Sequence, residues 1–373
     1  MLGALHLRPA QGTLQCEAPA ADWRENVMKN HAPVVALLAV GTLAGCTSDP
    51  DTRVWRRHEA QRKGSADAQP RQVITAALPP DEALVFCFFR APTESPLYLA
   101  TSRDGYTWRE SPGGPIFTPQ AGPYRGVRDP VIERGPDGTY HMVFTWGIHN
   151  PRGIGYASSR DLITWTDVRS LEVWPPDVPS EACWAPELFY LGEPDATWLI
   201  VWSSEITGRF PGTDGQSDAN HRLYACTTTD FRTLSQPELF FDPGYTVIDP
   251  DIVENPDGGA ILFFKDERDK GKAGRKKQIR FVTGPSPRGP WSEPSEAISV
   301  RWSEGPSVLR LGDEWIVYFD EYQSNRYGAV RSPDLVQWQD VSRQMSFPPG
   351  QRHGSVLRVP AEVADRIDAR RSP

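Results

Sequence analysis

The stretch "VRDPVIERGPDGTYHMVF" (127–144) puts an arginine and an aspartate, Arg128 and Asp129, at the head of an apolar run. A Pro-Asp-Gly turn and a second apolar run follow. Charges where a strand enters a core need a polar destination. The arrangement returns down the chain: Ala185 heads "WAPELFY", Asp249 heads "IDPDIVE", Glu304 heads "EGPSVLR" and His353 heads "RHGSVLRV". Three of these five heads are carboxylates. Carboxyl groups gathered in one cavity are suited to general acid and base catalysis. No helical spacing brings together residues this far apart, so the work falls to the fold.

The elements that must position them follow each head. A strongly apolar strand comes next ("YHMVFTW", "TWLIVWSSEI", "AILFFKDE", "EWIVYFDEY"), then a strand running to Ser or Thr and Asp, often ending near Trp ("IGYASSRDLITW", "YGAVRSPDLVQW"). Successive heads are 56, 64, 55 and 49 residues apart. A period near 50 with about four short strands per unit predicts an all-β, five-bladed β-propeller. The last head lacks its following strands, and "EALVFCFFR" and "LYLATSRDGYTW" near the start supply them. The last blade is therefore expected to be closed by N- and C-terminal strands. This places the propeller over residues 81–360 and leaves 361–373 as a C-terminal tail. Innermost strands line the channel of a propeller, so Asp129, Asp249 and Glu304 are expected to converge from three blades.

Composition agrees. Of 373 residues, 39% are hydrophobic, and 36 Pro with 31 Gly indicate many turns. Net charge is −8, with no Lys/Arg block that would present a face to nucleic acid; "GKAGRKK" (271–277) reads as a short solvated loop. Among the 13 Trp, Trp108, Trp165 and Trp338 recur after "SRDGYT", "SRDLIT" and "SPDLVQ" and read as structural. Trp146, Trp184, Trp202 and Trp302 lie near strand heads or loops, where they could stack on sugar faces or pack. Cys87, Cys183 and Cys226 give neither a disulfide framework nor a zinc spacing.

The N-terminal region reads differently. "MKNHAPVVALLAVGTLAGC" (28–46) has a short positive start and an apolar run too short to span a bilayer, and its ending resembles a bacterial lipobox. Residues 1–27 then read as a mis-assigned start, and residues 47–80 as a polar tether. The expectation is a lipoprotein of the bacterial cell envelope, touching membrane only through a lipid anchor at Cys46.

In order along the chain, "RDP" (128–130), "WAP" (184–186), "IDP" (248–250), "EGP" (304–306) and "RHGS" (352–355) resemble the motifs of glycoside hydrolase family 43, the five-bladed arabinofuranosidase and xylosidase group. The resemblance covers about residues 80–360. It implies Asp129 as general base, Glu304 as general acid and Asp249 as the residue that tunes the acid and holds it in place. Inverting hydrolysis needs one carboxylate to activate water and a protonated carboxyl opposite to protonate the leaving oxygen. Asp251 and Asp242 compete with Asp249 for its role. Arg128, Trp146, Trp184, Glu187, Arg352 and His353 are candidates for contact with substrate. Glu187, two residues after its head, is expected on the same face, as a sugar ligand or a substitute for Glu304. In many relatives the histidine matching His353 helps hold a calcium in the channel, largely through water, so a structural calcium is a candidate and no other cofactor is expected. The expected partner is an oligosaccharide or polysaccharide cleaved at a terminal furanosyl or pentosyl residue, and the expected state is a monomer.

Two other readings remain open. A phosphorylase of the same architecture could use Arg125, Arg128 and Arg352 to bind phosphate, although three head carboxylates would repel it. A non-catalytic glycan-binding lipoprotein would keep the aromatic residues without using the acid and base. The loop at 205–222, with Arg209, Asp218 and His221, could select the sugar or simply connect strands.

Overall fold

The computed structural model describes residues 78–371, apart from 92–94, 121, 123, 193–195 and 272–273. The proposed leader, mis-assigned start and most of the tether lie outside the described residues. What is described is an all-β propeller of five sheets. The first to be completed along the chain is β4–β7 (Arg128–Arg134, Tyr140–Thr145, Gly153–Ser159, Trp165–Glu172). Next come β8–β11 (Trp184–Gly192, Thr197–Ser204, Arg222–Thr228, Glu238–Phe241) and β12–β14 (Val247–Glu254, Ala260–Asp266, Gln278–Gly284). The fourth is β15–β18 (Glu304–Leu311, Glu314–Glu321, Arg326–Ser332, Gln339–Asp340).

The fifth sheet has the order β19-β1-β2-β3. Here β19 (Gly354–Pro360) pairs antiparallel with β1 (Glu82–Phe88), and β2 (Tyr98–Ser102) and β3 (Arg109–Glu110) lie outside them. Cys87 opposes Ser355 in this register. The expected closure by the two ends of the domain is thus present. The inner strands β4, β8, β12, β15 and β19 each touch the next, round to β4 again.

Apolar clusters fill the spaces between neighbouring sheets. One joins Leu84 and Phe86 of β1 to Ile316 and Tyr318 of β16; another joins Val143 of β5 to Ile200 and Trp202 of β9. Strands buried on both faces read as continuous apolar runs, which explains "LVFCFF" and "AILFFK".

In four sheets the third strand ends in one polar turn. Ser102, Ser159, Thr228 and Ser332 hydroxyls accept the amides of Gly105, Leu162, Phe231 and, for Ser332, Asp334. The side chains of Asp104, Asp161, Asp230 and Asp334 cap the amides that follow. Trp108 and Trp165 pack in the core beside these turns, and Trp338 packs partly against it.

Two features depart from the expected four strands and a tail. The third sheet has only three strands. Where a fourth would lie, Ser292, Ser295 and Ser299 offer hydroxyls to the amides of Thr283, Phe281 and Ile279. Pro290 and Pro294 lack the N–H groups that a regular ladder needs. Residues 361–368 of the expected tail form a helix, α1 (Ala361–Asp368). Its Val363, Ala364 and Ile367 are buried against the β1–β19 sheet side, because their spacing puts all three on one helical face.

Candidate active site

Four inner strands begin with one device. Asp129, Ala185, Asp249 and Gly305 have φ of 48°, 44°, 57° and 57°, each followed by a proline. At each the pairing with the next strand slips: between Arg128 and Val131, Trp184 and Glu187, Ile248 and Asp251, and Glu304 and Ser307. These are β-bulges, which re-aim side chains and interrupt the period of two. Gly305, not Glu304, is the register equivalent of Asp129 and Asp249, so Glu304 sits one position earlier, level with Arg128. At Gly305 a side chain is excluded: a Cβ would lie 2.3 Å from both Cγ and Cδ2 of His353.

The bulges are stitched from blade to blade. The Ala185 amide donates to Thr145 Oγ1 at 2.7 Å, and the Asp249 amide to Ser203 Oγ at 3.1 Å. The Gly305 amide donates to Asp249 Oδ2 at 3.0 Å, so Asp249 fixes the residue next to Glu304.

These contacts bring Asp129, Asp249, Glu304 and His353 together. His353 Nδ1 lies 3.3 Å from Asp129 Oδ1. Burial works against ionisation of Asp129, but the hydrogen bond and charge of His353, helped by Arg128, outweigh it and bring the carboxyl down to about 2. Burial also works against a charged His353, but Asp129, Asp249 and Glu304 raise it to about 9. Asp249 rises to about 6: burial and the charges of Glu304 and Asp129 push it up, against His353 and Lys265.

Glu304 is gripped by two cations. Lys265 Nζ on β13 is 3.0 Å from Oε2, and Arg352 Nη2 is 3.2 Å from Oε1. Lys265 is also 2.9 Å from Glu267 Oε2, and Arg352 Nε donates to Asp320. Tyr322 joins this group, with Lys265 Nζ 4.8 Å from its ring centroid, and Trp302 packs edge-on against Tyr322 at 6.0 Å. Trp302 carries φ 66°, a strained value for a bulky residue.

Other candidates are placed as follows. Arg128 is half-buried and stacks over Phe89 at 4.4 Å. Trp184 is half-buried, with its N–H donated to the Ile148 carbonyl and its ring stacked on His221 at 4.6 Å. His221 is buried, Asp218 pairs with Lys270 on the surface, and Arg209 lies over Tyr224. Trp146 and Trp202 are fully buried, Trp146 donating to the Tyr124 carbonyl. With no ring face open, Trp146 is a core residue and not a sugar platform.

Glu187 is also displaced from its expected face. The bulge at Ala185 breaks the alternation, and its carboxyl lies buried between blades, bonded to the Ile252 amide. Burial and the charges of Asp251 and Glu133 hold it well above the ordinary carboxylate range. Asp251 has the equivalent role in the next blade, accepting the Val308 amide at 3.1 Å. Asp242 pairs with Arg222 on the outer strands of the second blade, away from Glu304. Of the three competing aspartates, Asp249 is the one beside Glu304.

At His353, Nδ1 is engaged with Asp129 at 3.3 Å, so this nitrogen is not offered to a calcium directly. Among the described residues, no three His, Cys, Asp or Glu side chains are grouped as metal ligands.

Sequence reasoning missed Lys265, Asp320 and Tyr322. The signal was present in "FFKDE" and "YFDEY": charges embedded in runs otherwise buried on both faces.

Carboxylates from three blades thus meet beside cations on the inner strands of a five-bladed propeller. The family model described as "Probable glycosyl hydrolase domain", a glycosyl hydrolase 43-related family, matches residues 80–365. The chain belongs to this family. Among solved structures, it is similar to a thermostable family-43 glycoside hydrolase (17% identity, TM-score 0.49, covering 64% of this chain and 81% of that one). It is also similar to an α-L-arabinofuranosidase from Lactobacillus brevis (17%, 0.46, 58% and 72%). A third is a family-43 β-1,3-galactosidase bound to galactodeoxynojirimycin (10%, 0.46, 61% and 79%). No curated protein matches the sequence.

Proposed function

We propose that the protein is an inverting exo-glycosidase that removes terminal furanosyl or pentosyl residues, of arabinofuranoside or xyloside type, from an oligosaccharide or polysaccharide. The observation that carries this reading is the linkage of Asp129, Asp249, Glu304 and His353 into one contact network drawn from separate blades. Asp129, ionised above about pH 2, can accept a proton from the attacking water. Glu304 supplies the proton to the leaving oxygen. Asp249 locks the Gly305 amide and keeps Glu304 at a fixed depth. Water attacks the anomeric carbon as the glycosidic bond breaks; its proton passes to Asp129 and that of Glu304 to the departing alcohol.

Two cations of the site are already engaged with carboxylates, and Arg128 stacks on Phe89. Arg352 serves Glu304 and Asp320, and Lys265 serves Glu304 and Glu267. This favours water over phosphate as the nucleophile.

The test is hydrolysis of aryl α-L-arabinofuranoside, β-D-xyloside, β-D-galactofuranoside and α-L-arabinopyranoside, with Glu304→Gln alongside. Release from one of them, falling by about 10²–10⁴-fold in the variant, is expected. Activity that survives in Glu304→Gln would move the acid role elsewhere. Turnover only with added phosphate would replace hydrolysis by phosphorolysis.

A further inference from the structure

We propose that Asp320 is a positioning residue for Glu304 and acts through Arg352. The inference rests on the reading of Glu304 as the proton donor. Glu304 on β15 and Asp320 on β16 are register partners across the sheet. Arg352, from the segment before β19, lies between them: Nε donates to Asp320 Oδ2 and Nη2 to Glu304 Oε1 at 3.2 Å. One planar guanidinium thus serves two carboxylates, and fixing one edge of a rigid fork fixes the direction of the other.

Asp320 has no evident structural reason to be charged. It is 0% exposed, and its Oδ1 has no hydrogen-bond partner. A buried carboxyl oxygen left unmatched destabilises a fold, so its place in the apolar strand "WIVYFDE" calls for another role. The groups facing Asp320 are Glu304, Arg352, His353 and Tyr327. Burial first, then the charge of Glu304, raise Asp320 to about 7 against the pull of Arg352. Such a carboxyl competes with Glu304 for the same cation.

Lys265 repeats the design on the other oxygen, where Glu267 competes with Glu304 for its ammonium. Each cation on Glu304 is therefore tethered by a second carboxylate. Without Asp320, Arg352 would have Glu304 as its remaining carboxylate partner and would lose its fixed plane.

The decisive comparison is wild type against Asp320→Asn on two glycosides of one sugar, with 2,4-dinitrophenol and 4-methylphenol as leaving groups. The first leaves without protonation; the second needs it. On the 4-methylphenyl substrate kcat/KM is expected to fall on the order of 10²-fold, with a change of only a few-fold on the dinitrophenyl one. Asp320→Glu should recover some of the loss. An equal fall on both substrates would overturn the proposal.

Carbon-detected NMR of carboxyl-labelled protein decides the matter even if no glycoside is cleaved, an outcome that would sink the functional reading by itself. The Glu304 carboxyl signal, assigned by its loss in Glu304→Gln, should change its chemical shift in Asp320→Asn at fixed pH, because its Arg352 partner is re-aimed. An unmoved signal would refute the link. Should Asp320→Asn fail to fold, Arg352→Lys, which keeps the charge but not the fork, gives the same two readouts.

Discussion

The pairing of His353 with Asp129 makes stability depend on pH with a definite sign. His353 is raised from 6.5 to about 9, so its contribution is fully present below pH 6.5 and is lost as pH rises through 9. Asp129 is depressed from 3.8 to about 2, so its contribution is present above pH 3.8 and disappears as pH falls through 2. Asp249 works the other way. Raised from 3.8 to about 6, its ionisation disfavours the fold, and stability declines as pH climbs through that window. In urea denaturation at pH 6 and pH 9.5, wild type should lose on the order of 1–3 kcal/mol more than His353→Gln between the two values. Equal losses would mean that the pair is not ionic. At this scale the sequence pointed to Asp129 and Asp249 most directly, because a charge ahead of Pro at a strand head has few other uses. It hid Lys265 and Asp320, since a charge inside an apolar strand declares burial but not its partner. Trp146 lies in the core instead of the cavity because proximity to a strand end does not say which way an indole turns.

The bulged strand head is the element on which the site depends. It explains why three non-glycine residues, Asp129, Ala185 and Asp249, hold left-handed φ in the same place, and why the fourth position is Gly305. Gly305→Ala combines φ 57° with a Cβ 2.3 Å from the His353 ring. It should cost on the order of 2–4 kcal/mol and remove most activity, read as a lowered melting temperature together with lost turnover. An active variant of unchanged melting temperature would show that the His353 ring can move aside freely. The bulge also explains what sequence periodicity could not see. Strict alternation puts Glu187 on the face of Ala185, whereas the extra residue turns it between blades. The motif "EGP" aligns Glu304 with Asp129 and Asp249 on paper, yet the backbone sets it one step back.

At the scale of the whole molecule, the seam decides whether the ring exists. β19 gives β1 its inner neighbour and brings Ser355 within 3.2 Å of Cys87. It also carries the hydroxyl that accepts the Ile132 amide of the next blade. Removing residues 354–373 should therefore abolish cooperative thermal unfolding, measured by circular dichroism, rather than merely lower its midpoint. A truncated chain that still melts sharply would show that four blades suffice. This closure was legible because the last repeat lacked its later strands and the first residues of the domain supplied them. The three-stranded third sheet was not, because "PWSEPSEAIS" has the length of a strand and only its prolines argue against one. Those prolines have a further consequence. The outermost strand of a sheet offers unpaired amides and carbonyls to any strand that meets it, and is where chains join into aggregates. Here the rim of the third sheet is occupied by serine hydroxyls and proline rings, while β3 and β18 are only two residues long. Along these three edges the propeller presents little that a neighbouring molecule could extend.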